Sequence, residues 1–259
     1  MSEAGGEETH PNFEVVGEGP VVVLLHGWGG CIASMSPIRE MLRFDHTVVS
    51  VDLPGFGESP MPADVWGSED YARCVGELLA RVGVSRVMAV MGHSFGGKVA
   101  LRMVQYPLVA VESLILVGTP AVRLPPSGKT KRRIALVKRL KHVSRWLPGA
   151  AQTAVIKWTS RFGSEDYRNA GEMRDILVRA VNEDLRGMLA SVHVPTLLLW
   201  GKNDPAAPLE IGRIMESSIA GSGLVVFAES GHFPYLDEPQ AFAAVTRSFL
   251  GSMAGRGEE

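Results

Sequence analysis

A serine with a glycine two residues away on each side is the feature of this sequence that points most directly to chemistry. Residues 91–97 read Met-Gly-His-Ser-Phe-Gly-Gly and contain the motif Gly-x-Ser-x-Gly around Ser94. In this motif the serine occupies a sharp, strained turn from a strand into a helix, and the glycines leave room for it. The turn exposes the hydroxyl and aims the Phe95 amide at an oxyanion. Ser94 is therefore predicted to be a nucleophile.

A serine hydroxyl needs a general base, and the base needs a third group that orients it. Of the seven histidines, His232 lies in the loop Ser-Gly-His-Phe-Pro, shortly after the apolar run 224–227. Asp204 lies in Gly-Lys-Asn-Asp-Pro, shortly after the apolar run 196–200. Carboxyl ends of parallel strands share one edge of a sheet, so these residues should converge on Ser94. The sequence predicts a catalytic triad of Ser94, Asp204 and His232.

Other histidines and carboxylates compete for these roles. His93 adjoins Ser94, so its side chain should leave the turn in another direction and serve packing or hydrogen bonding. His26 ends an apolar run and is interpreted as a structural polar contact. Asp237 and Glu229 are rival candidates for the acid that orients the histidine.

The elements that would position these residues alternate between short apolar runs and helical patterns. Strands are predicted at residues 21–25, 47–51, 86–91, 113–117, 196–200 and 224–227, with a weaker one at 12–16. Helices are predicted at residues 69–82, 95–105 and 239–250. Continuous apolar strands that alternate with helices indicate an α/β fold, with a mostly parallel, doubly wound sheet buried on both faces.

A segment without a strand pattern interrupts this alternation at residues 121–191. Apolar residues there recur at helical spacing, at Ile134, Val137, Leu140, Val143, Val155, Trp158 and Phe162. We interpret it as a helical insertion between two strands of a core formed by residues 11–120 and 192–251. Residues 1–10 and 252–259 are predicted to be flexible tails.

The motifs resemble those of the α/β-hydrolase superfamily. The resemblance rests on the order Ser, Asp, His, on Gly-His-Ser-Phe-Gly-Gly, and on His-Gly-Trp-Gly-Gly at residues 26–30. It extends to Asp-Leu-Pro-Gly-Phe-Gly-Glu-Ser at residues 52–59 and covers roughly residues 20–120 and 193–250. It implies that Trp28 supplies the second oxyanion-hole amide beside Phe95, and that Asp52 belongs to a structural loop. It also implies that the insertion is a cap or lid, and that an ester is cleaved through an acyl-enzyme.

Composition narrows the possible partners. The 259 residues carry a formal net charge of −2, which favours neither nucleic acid nor an anionic membrane. The apolar runs are too short to span a bilayer, and the acidic N-terminus does not read as a signal peptide. Two cysteines provide no disulfide framework, so a cytoplasmic protein is expected. The expected partner is a small-molecule acyl substrate, without a cofactor or a metal.

Several alternatives stay open at this point. Gly92 and Gly97-Lys98 have the spacing of a phosphate-binding loop, but Val99 stands where that motif needs a hydroxyl for Mg²⁺. A receptor that binds a small molecule without turnover would keep the same fold. Among enzymes, hydrolysis of a carbon–carbon bond, a lactone or an amide rivals ester hydrolysis. Relatives that cleave carbon–carbon bonds usually carry tryptophan at the position of Phe233.

Residues 123–145 contain nine lysines and arginines and no acidic residue. The plainer interpretation is the solvated face of an amphipathic cap helix. The sharper one is recruitment of an anionic substrate or an acidic acyl carrier.

Overall fold

The computed structural model describes residues 10–106, 108–125 and 169–255, with single residues at 128, 139, 142, 144, 146, 149 and 167. A seven-stranded sheet lies at its centre, and a two-stranded sheet lies beside it. The strands are β1 (Phe13–Val16), β2 (Val21–Leu25), β3 (Thr47–Val51), β4 (Arg86–Val87), β5 (Ala89–His93), β6 (Ala110–Val111), β7 (Leu114–Val117), β8 (Thr196–Gly201) and β9 (Ser222–Phe227). The large sheet has the order β1-β3-β2-β5-β7-β8-β9. Strand β1 pairs antiparallel with β3 and the other pairs are parallel, which confirms the predicted fold class.

The central strands are apolar on both faces because both faces are covered. In β2, Val23 and Leu25 join one core cluster, whereas Val22 and Leu24 join the other. Successive side chains of a strand point to opposite faces, so a continuous apolar run is what a doubly covered parallel strand requires. The apolar pattern therefore sets the register, and the register places the strand ends along one edge.

Helices cover both faces of the sheet. The described helices are α1 (Ser36–Leu42), α2 (Ser68–Arg81), α3 (Phe95–Met103), α4 (Arg174–Asn182), α5 (Arg186–Leu189), α6 (Leu209–Ser218), α7 (Pro234–Asp237) and α8 (Pro239–Ala254). Helices α2, α3 and α6 pack on one face through Leu79, Val99 and Met215. Helices α1 and α8 pack on the other face through Leu42 and Phe242.

One predicted strand is divided in two. The run predicted at residues 86–91 forms β4 and β5, which belong to different sheets. The break falls at Met88, whose carbonyl accepts a 2.6 Å hydrogen bond from the Ser113 hydroxyl, while its N–H donates to Val21. At Met88 the chain therefore passes from the small sheet, which contains β4, into the large sheet, which contains β5.

The regular secondary structure of the described residues between β7 and β8 is helical. It comprises a 3₁₀ turn (Gly171–Met173), α4 and α5. The apolar positions on which the predicted insertion helices rest, from Ile134 to Phe162, lie outside the described residues. Among the helices that are described, none is long and apolar enough to cross a membrane.

Candidate active site

Ser94 occupies a strained turn between β5 and α3. Its φ is +51° and its ψ is −111°, and no other non-glycine residue in the described part of the chain has a positive φ. Such a conformation costs on the order of 1–3 kcal/mol. Its amide donates a 2.8 Å hydrogen bond to the Val117 carbonyl at the end of β7, which secures the turn. The serine therefore stands clear of the sheet at the start of a helix.

Three glycines permit the sharp turn at Ser94, residues 92–97, which we call the elbow. A Cβ on Gly92 would collide with the Gly96 carbonyl, and a Cβ on Gly96 would collide with the Leu25 carbonyl. A Cβ on Gly97 would collide with the Thr119 side chain. The first two obstacles are backbone atoms that cannot rotate away. The spacing of the motif thus follows from the approach of α3 to the ends of β2 and β7.

The turn after β2 lies against the elbow. A Cβ built on Gly27 would be 3.3 Å from Ser94 Cβ. The next residue, Trp28, packs its ring against Phe95 and Phe56, with ring centroids 5.6 and 4.9 Å away. Among the hydrogen bonds of the described residues, neither the Trp28 amide nor the Phe95 amide is a donor. Two amide donors beside the serine are therefore left for another acceptor.

His26 is structural, as predicted. Its Nδ1–H donates to the Gly27 carbonyl at 2.7 Å, and its Nε2 accepts the Leu53 amide at 2.9 Å. One nitrogen donates and the other accepts, so the ring is neutral. Burial lowers its pKa, which favours the same state. The ring thereby ties the end of β2 to the end of β3.

Asp204 and His232 form a direct pair at the same edge of the sheet. His232 Nδ1 lies 2.7 Å from Asp204 Oδ2, and the aspartate side chain is fully buried. Asp204 Oδ1 accepts the Ala206 and Ala207 amides at 2.8 Å each. Because Oδ1 acts as an acceptor only, we assign the proton of His232 to Nδ1, from which it is donated to Oδ2. In the neutral ring, Nε2 then carries a free lone pair.

Gly118, directly after β7, makes room for this pair. Its φ is +50°, and a Cβ there would lie 3.1 Å from Asp204 Oδ2 and 3.2 Å from His232 Nδ1. Its amide donates to the Leu199 carbonyl in β8. Gly118 is not among the site residues predicted from the sequence, although a glycine directly after the predicted strand 113–117 is a signal that points to it.

Two carboxylates hold the loop that carries His232. Asp237 Oδ2 accepts the Gly231 amide at 2.8 Å, and Glu238 Oε1 accepts the Ser230 hydroxyl at 2.7 Å. Asp237, a rival for the orienting acid, thus binds the backbone beside His232 and not the ring. Glu229, the other rival, contributes its backbone amide, which donates a hydrogen bond to Glu238 Oε1. The role of Asp237 and Glu238 in holding this loop was not predicted from the sequence.

His93 also holds the loop that carries His232. Its Nε2–H donates to the His232 carbonyl at 2.9 Å, and the two rings lie 4.6 Å apart. Burial, together with the neighbouring His232, lowers the pKa of His93 to about 4. The side chain is therefore a neutral donor at physiological pH. The hydrogen-bonding role predicted for it has a specific partner.

Asp52 has a different task from Asp204. It is 3% exposed, and its carboxylate accepts the Ile32 amide at 2.6 Å and the Glu58 amide at 2.9 Å. The Asn12 side-chain amide donates a third bond at 2.9 Å. These partners come from three separate segments, so Asp52 fastens loops together, as the resemblance implied.

Ser94 and His232 are not joined by a hydrogen bond in the described arrangement. His93 links them: it precedes Ser94 in the chain, and its side chain donates a hydrogen bond to the His232 carbonyl. Hydrogen bonds of this kind are often long in a ligand-free site and tighten in the substrate complex.

A cavity of about 370 Å³ opens beside Ser94. Its wall is mostly apolar and includes Trp28, Phe95, Val122, Leu124, Leu177, Val181, Pro208 and Ile211. Two cationic residues, Lys98 and Arg123, also line it. A second cavity of about 510 Å³ is also lined by Trp28, together with Phe56 and Met173. The Trp28 side chain thus borders both spaces.

Comparison with known proteins identifies the family. Residues 22–245 match the model of the alpha/beta hydrolase family, and the chain belongs to that family. It is 28% identical to a pimeloyl-[acyl-carrier protein] methyl ester esterase of Pseudoalteromonas atlantica, over 88% of this chain and 93% of that one. It is also 28% identical to an uncharacterized protein of Mycobacterium tuberculosis, over 92% of this chain and 77% of that one. An esterase from Exiguobacterium antarcticum has a similar structure, with a TM-score of 0.73, 27% identity, and coverage of 94% and 96% of the two chains.

Proposed function

We propose that this protein is a serine hydrolase that cleaves a small-molecule carboxylic ester through an acyl-enzyme, with Ser94, His232 and Asp204 as the triad. The observation that carries the proposal is the strained Ser94 elbow beside a cavity, on the edge where His232 pairs with Asp204 at 2.7 Å. The two esterases with similar sequence and structure support an ester as the bond that is cleaved.

In the proposed first step, Asp204 holds the His232 proton on Nδ1, so Nε2 takes the Ser94 proton as the hydroxyl oxygen attacks the ester carbonyl. The imidazolium then gives that proton to the leaving alcohol as the carbon–oxygen bond breaks. In the second step His232 removes a proton from water as the water oxygen attacks the acyl carbon. The bond between that carbon and Ser94 Oγ then breaks, the carboxylic acid leaves, and the imidazolium returns the proton to Ser94 Oγ. Both steps need Ser94 Oγ within hydrogen-bond distance of Nε2, which substrate binding must establish.

We assign the Phe95 and Trp28 amides as the hydrogen-bond donors that stabilise the oxyanion of each tetrahedral intermediate. Phe95 is the first residue of α3, where the N–H has no partner inside the helix and the helix dipole is positive. The Trp28 amide is the second donor in the turn that touches the elbow. Loss of one such donor costs about 100- to 1,000-fold in kcat.

Residues 121–191 are proposed as the cap over this site. The support comes from α4, in which Leu177, Ala180 and Val181 face the cavity that Ser94 also lines. Hydrolysis in a covered site keeps bulk water away from the oxyanion and strengthens its hydrogen bonds.

The decisive experiment is covalent labelling with a fluorophosphonate, followed by mapping of the labelled peptide. We expect the label on Ser94, and no label on Ser94→Ala. Ser252→Ala removes an exposed serine at the far end of α8 and serves as the matched control that should label normally. Circular dichroism must show both variants folded.

Ester hydrolysis is measured on the same proteins. Turnover of a short-chain p-nitrophenyl ester should disappear in Ser94→Ala and persist in Ser252→Ala. Equal labelling or equal turnover in folded Ser94→Ala would remove Ser94 from the mechanism. Tight binding of esters without any Ser94-dependent turnover would identify a receptor instead of an enzyme.

A further inference from the structure

Lys98 is a buried cation one helical turn from Ser94. Ser94 directly precedes α3, and Lys98 is the fourth residue of that helix, which places their backbones about 6 Å apart along the axis. Lys98 is 3% exposed, and lysine is rarely buried to this degree without a partner. Its Nζ donates to the Ala180 carbonyl at 2.7 Å and to the Glu183 carbonyl at 3.0 Å. Both carbonyls lie at the C-terminal end of α4, where a cation is favourable.

A lysine ammonium has three N–H groups, so among the described residues these two bonds leave one donor without an acceptor. Lys98 lines the same cavity as Ser94. Burial lowers the pKa of Lys98 to about 8, so the group is still largely charged at neutral pH. A charged donor next to an apolar cavity will favour an acceptor that carries negative charge.

The cavity wall contains a second cation and no described acid. Arg123 lines the cavity beside Lys98, and within the described part of the chain its guanidinium makes a single long contact, of 3.5 Å, with the Asn182 carbonyl. The carboxylates of Glu183 and Asp184 attract the charge of Lys98, but neither residue lines the cavity. Glu183 also forms an ion pair with Arg102 at 3.3 Å. The described lining residues therefore present two positive charges to a ligand and no negative one.

We propose that Lys98 and Arg123 form a carboxylate-binding subsite, and that the protein prefers small esters that carry a carboxylate a few carbon atoms away from the ester. This inference rests on the proposed function, because Ser94 marks the reacting end of the cavity. The apolar wall would bind the intervening methylene groups, and Lys98 would donate its third N–H to the carboxylate.

The test compares esters that differ only in charge. Monomethyl esters of linear dicarboxylic acids of increasing length are paired with methyl esters that end in a carboxamide of the same shape. A second set places the carboxylate or carboxamide on the alcohol half. The measured quantity is the ratio of kcat/KM for the acid to kcat/KM for the amide. We expect a ratio of about 10 to 100 at the best chain length, the worth of one charge-assisted hydrogen bond.

Variants then assign the preference. Lys98→Met and Arg123→Gln should each bring the ratio toward one, and Arg213→Gln, an exposed cation on α6 away from the cavity, should leave it unchanged. If Lys98→Met does not fold, Arg123→Gln and the substrate pairs in the parent protein still decide. A parent ratio near one at every length overturns the subsite. A high ratio that survives both substitutions also overturns it.

Calorimetry separates this inference from the proposed function. Folded Ser94→Ala is titrated with a dicarboxylic acid monoamide, which retains the carboxylate and lacks the scissile ester. Saturable binding that Lys98→Met weakens at least tenfold supports the subsite even if ester turnover is absent. Ser94-dependent turnover with equal rates for acid and amide, and without such binding, would support the proposed hydrolase and contradict the proposed subsite.

Discussion

Replacement of Asp204 by asparagine would test the triad with little change in shape. Asp204 Oδ1 accepts two backbone amides, and Oδ2 accepts the Nδ1 proton of His232. In the variant the amide oxygen must stay with the two backbone donors, because an NH₂ group there would face N–H groups. The NH₂ group then points at His232 Nδ1, which has to become an acceptor. The proton moves to Nε2, the nitrogen that should take the Ser94 proton.

The size of the effect follows from these bonds. The wrong tautomer should lower kcat by about 10³- to 10⁴-fold, or about 4–5 kcal/mol of transition-state stabilisation. The two backbone bonds lose their ionised acceptor, and each falls by about 1 kcal/mol, so the protein should lose about 2 kcal/mol of stability. For a protein of this size that is a decrease in Tm of about 4–8 °C.

Asp52→Asn is the matched control. Asp52 is also buried and also accepts two backbone amides, but it has no contact with His232. Its loss of stability should be larger, because its two backbone amides bind different oxygens and the new NH₂ group must face one of them, whereas kcat per folded molecule should stay within a few-fold of the parent. Ester turnover and thermal melts on both variants make the comparison. A loss of less than tenfold in folded Asp204→Asn, or an equal loss in folded Asp52→Asn, would refute the assignment of Asp204.

Two further predictions concern stability. The pKa of His93 falls from 6.5 to about 4 on folding, so its contribution is present above pH 6.5 and is lost as the pH falls toward 4. Between pH 7 and pH 4 the parent should lose about 3 kcal/mol more of unfolding free energy in urea titrations than His93→Gln, and equal losses would contradict a buried neutral ring. Gly96→Ala should destabilise by about 2 kcal/mol or more because the new Cβ meets the Leu25 carbonyl, whereas Gly251→Ala in α8 has open space and should stabilise by about 0.5–1 kcal/mol. Melting temperatures that shift in the same direction for both glycine variants would contradict that reasoning.

The sheet and the elbow could be predicted because their signals are local. A doubly buried parallel strand must be apolar throughout, and runs such as residues 21–25 and 47–51 have that pattern. The elbow needs glycines at fixed offsets because backbone carbonyls lie where the Cβ atoms of Gly92 and Gly96 would be. The contact between Asp204 and His232 could be predicted because strand ends on one edge must converge.

Other features could not be predicted because their causes are not local. Helix α6 went unpredicted, and it contains Gly212, a poor helix former. A Cβ at that position would lie 3.0 Å from the Trp200 ring, so the glycine permits close packing that the helical pattern does not reveal. Helix α1 also went unpredicted. Lys98 was seen only as part of a failed phosphate-loop motif, since its partners Ala180 and Glu183 lie more than 80 residues away.

Asp52 and Asp204 show where reasoning from residue types ends. Both are buried aspartates near strand ends, and the carboxylate of each accepts two backbone amides. Burial and the number of backbone hydrogen bonds therefore do not tell the structural residue from the proposed catalytic one. The third partner differs: Asp52 binds the Asn12 amide, which cannot titrate, and Asp204 binds the His232 ring, which can. A carboxylate that holds only fixed donors can stabilise a fold, whereas one that also holds a movable proton on imidazole can take part in proton transfer.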